Sequence, residues 1–127
     1  MRRISNRVRR EIATDPEYND CMLKAFGPHI CGGRLTREHA IIHAGKQIDA
    51  KWAIISCCAK GQEVDEYQDA HTMDKDLNKW VALNRATDEE LEGISRATNY
   101  FRLRDLLNER YGEYVPRASG CAINYPF

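Results

Sequence analysis

A carboxylate beside an imidazole, Glu38-His39, ends a short alternating run that follows Cys31-Gly-Gly. Phosphodiester hydrolysis needs a base to activate the nucleophile and a cation to neutralise charge on the phosphate and leaving oxygen. His39 offers the first and Glu38 can hold the second. Neighbouring strand residues point to opposite faces, so the backbone has to bend at the strand end if both are to act on one cation. The dipeptide is common, and taken alone it is better explained by an ordinary hydrogen-bonded or surface histidine.

Five cysteines offer a second chemistry: Cys21, Cys31, Cys57, Cys58 and Cys121. Cys21, Cys31, Cys57 and Cys58 together supply four thiolates, a set that suits a structural zinc ion. The spacing is not the paired Cys-x-x-Cys, and adjacent Cys57 and Cys58 ligate one ion less easily than a spaced pair. Buried, reduced cysteines are the competing reading; another variant uses Cys31 and Cys58 with His29. His43 follows His39 by four residues, a metal-binding spacing on a helix, but the pattern here is that of a hairpin. His71 lies near Asp65 and Asp69 in an acidic stretch, where oxygen ligands suit a hard divalent cation. A solvated acidic loop is the alternative.

The elements that must position these groups come from one domain, residues 1–127, long enough to bury a real core. Nineteen basic residues balance nineteen acidic ones, so net charge does not point to a polyanion. Local charge does: Arg2, Arg3, Arg7, Arg9 and Arg10 make residues 1–12 a basic arm suited to phosphate. Ile4, Val8 and Ile12 share one narrow helix face. Thr14-Asp-Pro-Glu17 reads as the start of a helix burying Tyr18, Met22, Leu23, Ala25 and Phe26 and stopping at Gly27-Pro28. Gly32-Gly33 suits a tight hairpin turn with Leu35 to Ala40 as its returning strand, and Trp52 to Ile55 is a second, buried strand. Asp74 caps a helix carrying Leu77, Trp80, Val81 and Leu83. Thr87 and Glu90 have capping-box spacing and start one helix over 87–111 with Leu91, Ile94, Phe101 and Leu107 on its core face. The expected fold class is α+β: a small hairpin region surrounded by helices. No apolar run reaches membrane-span length and no signal-peptide core opens the chain. The expectation is therefore a cytoplasmic protein with reduced cysteines.

Cys31-Gly-Gly-Arg-Leu-Thr-Arg-Glu-His-Ala-Ile-Ile, Ala44-Gly-Lys-Gln-Ile, Lys51-Trp-Ala-Ile-Ile-Ser-Cys, Val64-Asp-Glu-Tyr-Gln-Asp69 and Asn78-Lys-Trp-Val-Ala-Leu resemble small phage-type HNH endonucleases. The likeness continues to Leu91 and covers roughly the middle half of the chain. It implies a ββα-metal core over residues 31–84, in which two strands and a helix clamp a divalent cation against a DNA phosphate. It gives His39 the role of general base and Glu38 that of a metal-holding neighbour. Relatives of this type carry a His-His pair after the strand-ending cysteine. Here Cys58 is followed by Ala59-Lys60-Gly61-Gln62, so His71, Asp65 or Asp69 would have to complete the site.

Three functions compete. The first is a DNA endonuclease using Mg²⁺ or a transition metal, with structural Zn²⁺ at the cysteines. Its phosphate contacts come from Arg2, Arg3, Arg7, Arg9, Arg10, Arg34, Arg37 and Lys46. The second is a catalytically degenerate HNH-like DNA-binding or assembly module. The third is a protein-interaction domain that keeps only the scaffold.

Overall fold

The spacing of Val8 and Ile12 puts both under one face of a helix. In the computed structural model, residues 4–27, 31–58, 70–94 and 97–116 are described, with only the backbone over 70–75. Helix α1 spans Asn6–Ala13, with Val8 and Ile12 buried. Ser5 caps it: its Oγ accepts from the Val8 N–H at 3.3 Å, satisfying an amide that has no partner within the helix. Arg7, Arg9 and Arg10 remain exposed.

The start signal at Asp15-Pro16 works, but not as an α-helix. Asp15 Oδ1 accepts from the Glu17 N–H at 3.0 Å, and Pro16–Asn19 then makes one 3-10 turn. Extended backbone at Asp20 and Cys21 separates it from a second 3-10 turn, Met22–Ala25. The Tyr18 carbonyl shows why the helix does not continue. It accepts from Ser56 Oγ at 2.9 Å and from Arg37 Nη2 at 3.2 Å, so tertiary partners replace the amide of a following turn. The expected buried set survives the change. Tyr18, Met22, Leu23 and Ala25 are buried, and Phe26 packs partly against the core.

Four short strands follow: β1 Leu35–His39, β2 Ile42–His43, β3 Lys46–Gln47 and β4 Ile54–Cys58. β1 and β4 are antiparallel, from Leu35 opposite Cys58 to His39 opposite Ile54. β2 and β3 pair around Ala44-Gly45, whose φ values of 53° and 79° fit a tight two-residue hairpin turn. The first strand of the hairpin expected at Gly32-Gly33 falls on residues 28–30, outside the described residues. Among the described residues β1 pairs with β4 alone, and Gly33, at φ 78°, leads the chain into β1. The second strand also begins late, because Lys51–Ala53 forms a 3-10 turn before Ile54. All five residues of β4 are buried. The Tyr18 hydroxyl, whose pKa burial pushes up, sits between the carbonyls of Lys51 and Ile54 and ties the first 3-10 turn to this strand.

Helix α2, Ala70–Arg85, starts four residues before the expected Asp74 and buries Leu77, Trp80, Val81 and Leu83. The capping box forms as read. Thr87 Oγ1 accepts from the Glu90 N–H at 3.1 Å, and Glu90 Oε1 accepts from the Thr87 N–H at 2.9 Å. It starts only α3, Asp88–Glu92, and a separate α4 covers Ala97–Tyr111. The single helix expected over 87–111 is broken at Gly93, a poor helix residue. There the Ile94 N–H closes a three-residue turn onto the Leu91 carbonyl at 3.0 Å. α4 packs on α2 through Leu107, buried, and an Asn84 Nδ2 to Asn108 Oδ1 bond of 2.7 Å. Gly112, at φ 97°, turns the chain so that its carbonyl accepts from Trp80 Nε1 at 3.2 Å. Phe26 and Tyr114 meet the Trp80 ring edge-on, a favoured aromatic geometry.

The result is mixed α and β: among the described residues, four α-helices and two two-stranded antiparallel sheets. No helix among them is long and apolar enough to cross a membrane.

Candidate active and metal-binding sites

Glu38 and His39 both lie inside β1, where successive side chains leave on opposite faces. His39 turns inward, its side chain only 5% exposed, and its Nε2 lies 3.3 Å from Asp49 Oδ1. Asp49 also accepts from the Ser5 N–H, at 3.2 Å through Oδ2. Burial opposes ionisation of Asp49, but the hydrogen bonds from Ser5 and His39 outweigh it and hold its carboxyl below the usual value. The N-terminus of α1, the end of β1 and the segment before β4 thus converge on one carboxylate. With Nε2–H directed at Asp49, His39 Nδ1 is the ring nitrogen left with a lone pair. Sequence reasoning missed Asp49. It stands in no motif, and only folding brings it to His39.

The other expected catalytic-metal residues are not placed. Asp65 and Asp69 lie outside the described residues, and of His71 only the backbone, in the first turn of α2, is described. His43, on β2, turns toward α4, with Nδ1 2.7 Å from the Tyr100 hydroxyl.

At the opposite end of β1 and β4 the cysteines gather. One sulfur each from Cys21, Cys31 and Cys58 lies within 4.8 Å of the others. Cys21 and Cys58 are fully buried and Cys31 is half-buried. The Cys58 N–H donates to Cys21 Sγ, and the Gly32 N–H donates to Cys58 Sγ, each at 3.4 Å. Hydrogen bonding with Cys58, then burial, pushes the Cys21 thiol pKa up. Cys57 stands apart from this group. It is paired across the sheet with Thr36, whose Oγ1 lies 3.8 Å from its sulfur, as strand alternation requires of Cys58's neighbour. Cys31 is disulfide-bonded, so the expectation of uniformly reduced cysteines does not hold there. His29 and Cys121 lie outside the described residues.

The basic residues divide. Arg7, Arg9, Arg10, Arg34 and Lys46 are exposed. Arg7 pairs loosely with Glu11 at 3.7 Å, and Arg9 Nε donates to the Ile4 carbonyl at 3.2 Å. Arg37 is exposed too, but its guanidinium is held by the Tyr18 carbonyl and lies 5.8 Å from the Tyr18 ring centroid. Arg2 and Arg3 lie outside the described residues.

Compared with protein-family models, curated proteins and solved structures, the chain gives no match.

Proposed function

We propose that this protein is a metal-dependent DNA endonuclease of HNH type, with His39 as general base and Asp49 as the residue that positions it. The His39–Asp49 contact carries the reading. An imidazole at the end of a strand, fixed by a carboxylate through one nitrogen, is a base with its other nitrogen prepared to take a proton. The chain order of β1, β4 and α2 supports it, being the strand–strand–helix order that a ββα-metal core needs. So does the likeness of the central stretch to phage-type HNH proteins.

Where the end of β1 bends to bring it to the side of His39, Glu38 would hold a divalent cation, Mg²⁺ or a transition metal, together with His71 or Asp69. Carboxylate and imidazole donors fit such ions. Bound there, the cation would neutralise charge on the phosphate and leaving oxygen. His39 Nδ1 takes the proton of the attacking water, and Asp49 stabilises the imidazolium that results. The exposed Arg7, Arg9, Arg10, Arg34 and Lys46 contact backbone phosphates and fix the register on DNA. Structural Zn²⁺ at the cysteines is a separate metal role.

Two observations favour the second reading, a DNA-binding or assembly module that does not cut: the His39 side chain is 5% exposed, and no histidine stands in Ala59-Lys60-Gly61-Gln62. Supercoiled plasmid, offered to metal-stripped protein with Mg²⁺, Mn²⁺, Ni²⁺ or Zn²⁺ restored in turn, separates the two. Nicking with at least one metal is expected. Folded protein that nicks with none, yet binds DNA in a salt-sensitive way, would replace the endonuclease by the binding module.

A further inference from the structure

We infer that the reduced protein holds one soft divalent cation, of the zinc type, on the sulfurs of Cys21, Cys31 and Cys58, and not on Cys57. This stands whether or not the opposite end of the sheet cuts DNA.

Three observations carry it. The first is convergence from distant parts of the chain. Cys21 comes from the link between two 3-10 turns, Cys31 from the approach to β1 and Cys58 from the last position of β4, yet their sulfurs lie within 4.8 Å of one another. Sulfurs around a tetrahedral ion with metal–sulfur bonds of about 2.3 Å are about 3.8 Å apart, so a small inward movement closes the site. The second is the set of amide donors. The Cys58 N–H on Cys21 and the Gly32 N–H on Cys58 supply partial positive charge to sulfurs that become thiolates when an ion binds, and such outer contacts orient and tune metal ligands. The third is the donor chemistry of the group. All three donors are sulfur, two of them fully buried, which selects zinc-type ions over magnesium or calcium.

The disulfide at Cys31 defines which state binds. A phosphine supplies the two electrons that break the S–S bond and takes the oxygen of one water to become its oxide; the two protons of that water leave Cys31 and its disulfide partner as thiols. Ion binding then expels thiol protons. Affinity therefore rises with pH.

The probe is Co²⁺ alone, titrated anaerobically into full-length protein reduced with a phosphine, followed by displacement with Zn²⁺ alone. One Co²⁺ per chain is expected, with thiolate charge-transfer absorption and the strong visible bands of a tetrahedral site. Cys21→Ser and Cys58→Ser should weaken binding by more than about tenfold, the loss that even outer-shell changes can produce. Cys57→Ala should leave the spectrum and stoichiometry unchanged. Reduced, folded wild-type protein that gives no sulfur-bound cobalt spectrum would overturn the site, as would a Cys21→Ser or Cys58→Ser variant that binds like wild type. If those variants do not fold, X-ray absorption on the zinc-loaded wild type decides. Three or more sulfur neighbours support the site, and fewer contradict it.

Discussion

The two ends of the β1–β4 pair make opposite uses of the same five-residue ladder. At the Leu35–Cys58 end, buried sulfurs from three separate segments meet. At the His39–Ile54 end, an imidazole meets a carboxylate and the capped start of α1. Four strand steps of about 3.3 Å place the ends about 13 Å apart, too far to share an ion. Donor type sorts the metals: sulfur selects a zinc-type ion, and a carboxylate–imidazole set suits the hard or borderline cations used on phosphates. A strand pair this short is a poor stable unit on its own. A sulfur clamp at one end would hold the strand pair in register for the His39–Asp49 pair at the other.

Stripping the sulfur end should have the largest effect. Chelation of reduced, zinc-loaded protein is expected to lower unfolding stability by about 3 kcal/mol, the contribution of an ion at roughly 100 times its Kd. Urea unfolding with and without chelator measures it. Equal stability in both would remove the clamp from the comparison.

Breaking the other end should change chemistry more than stability. Asp49→Asn is expected to slow metal-dependent nicking about 100-fold, the scale of a mispositioned general base, with the sulfur-bound cobalt spectrum intact. It also has a pH signature. The folded Asp49 carboxyl ionises below its ordinary value, so its contribution to stability is present above the unfolded pKa of about 3.9 and is lost as pH falls through the lower folded value. The stability gap between wild type and Asp49→Asn should therefore be largest near neutral pH and shrink in acid. A gap that widens in acid would reverse the assignment.

Two smaller substitutions sharpen the contrast. Tyr18→Phe removes the hydroxyl that ties the segment before Cys21 to the start of β4. It should cost about 1 kcal/mol and loosen cobalt binding slightly. Thr87→Ala removes the α3 cap, should also cost up to about 1 kcal/mol, and should leave both ends of the sheet untouched. Cobalt titration and nicking of the same samples would show any unexpected crossover.

The fold is legible in the sequence where neighbours in the chain set the structure. The Val8–Ile12 stripe, the Asp15 and Thr87 caps and the buried faces at Tyr18–Ala25 and Leu77–Leu83 all follow from spacing. Errors came where distant partners compete for the backbone. The Tyr18 carbonyl is taken by Ser56 and Arg37, so the helix expected there became two 3-10 turns. The β1–β4 pairing joins segments far apart in the chain, which no local signal marks. The candidate sites divide the same way. Residue type alone put Glu38, His39 and the cysteines forward. Which three cysteines meet depends on strand alternation at Cys57 and Cys58, and Asp49 reaches His39 only through the fold.

The most direct test is the metal-dependent nicking rate of His39→Ala, measured on protein whose cobalt spectrum at the cysteines matches wild type. A fall of at least about 100-fold with that spectrum unchanged is the predicted result, placing the chemistry at one end of the sheet and the soft-metal clamp at the other. Nicking at the wild-type rate would contradict the assignment of His39 as the base.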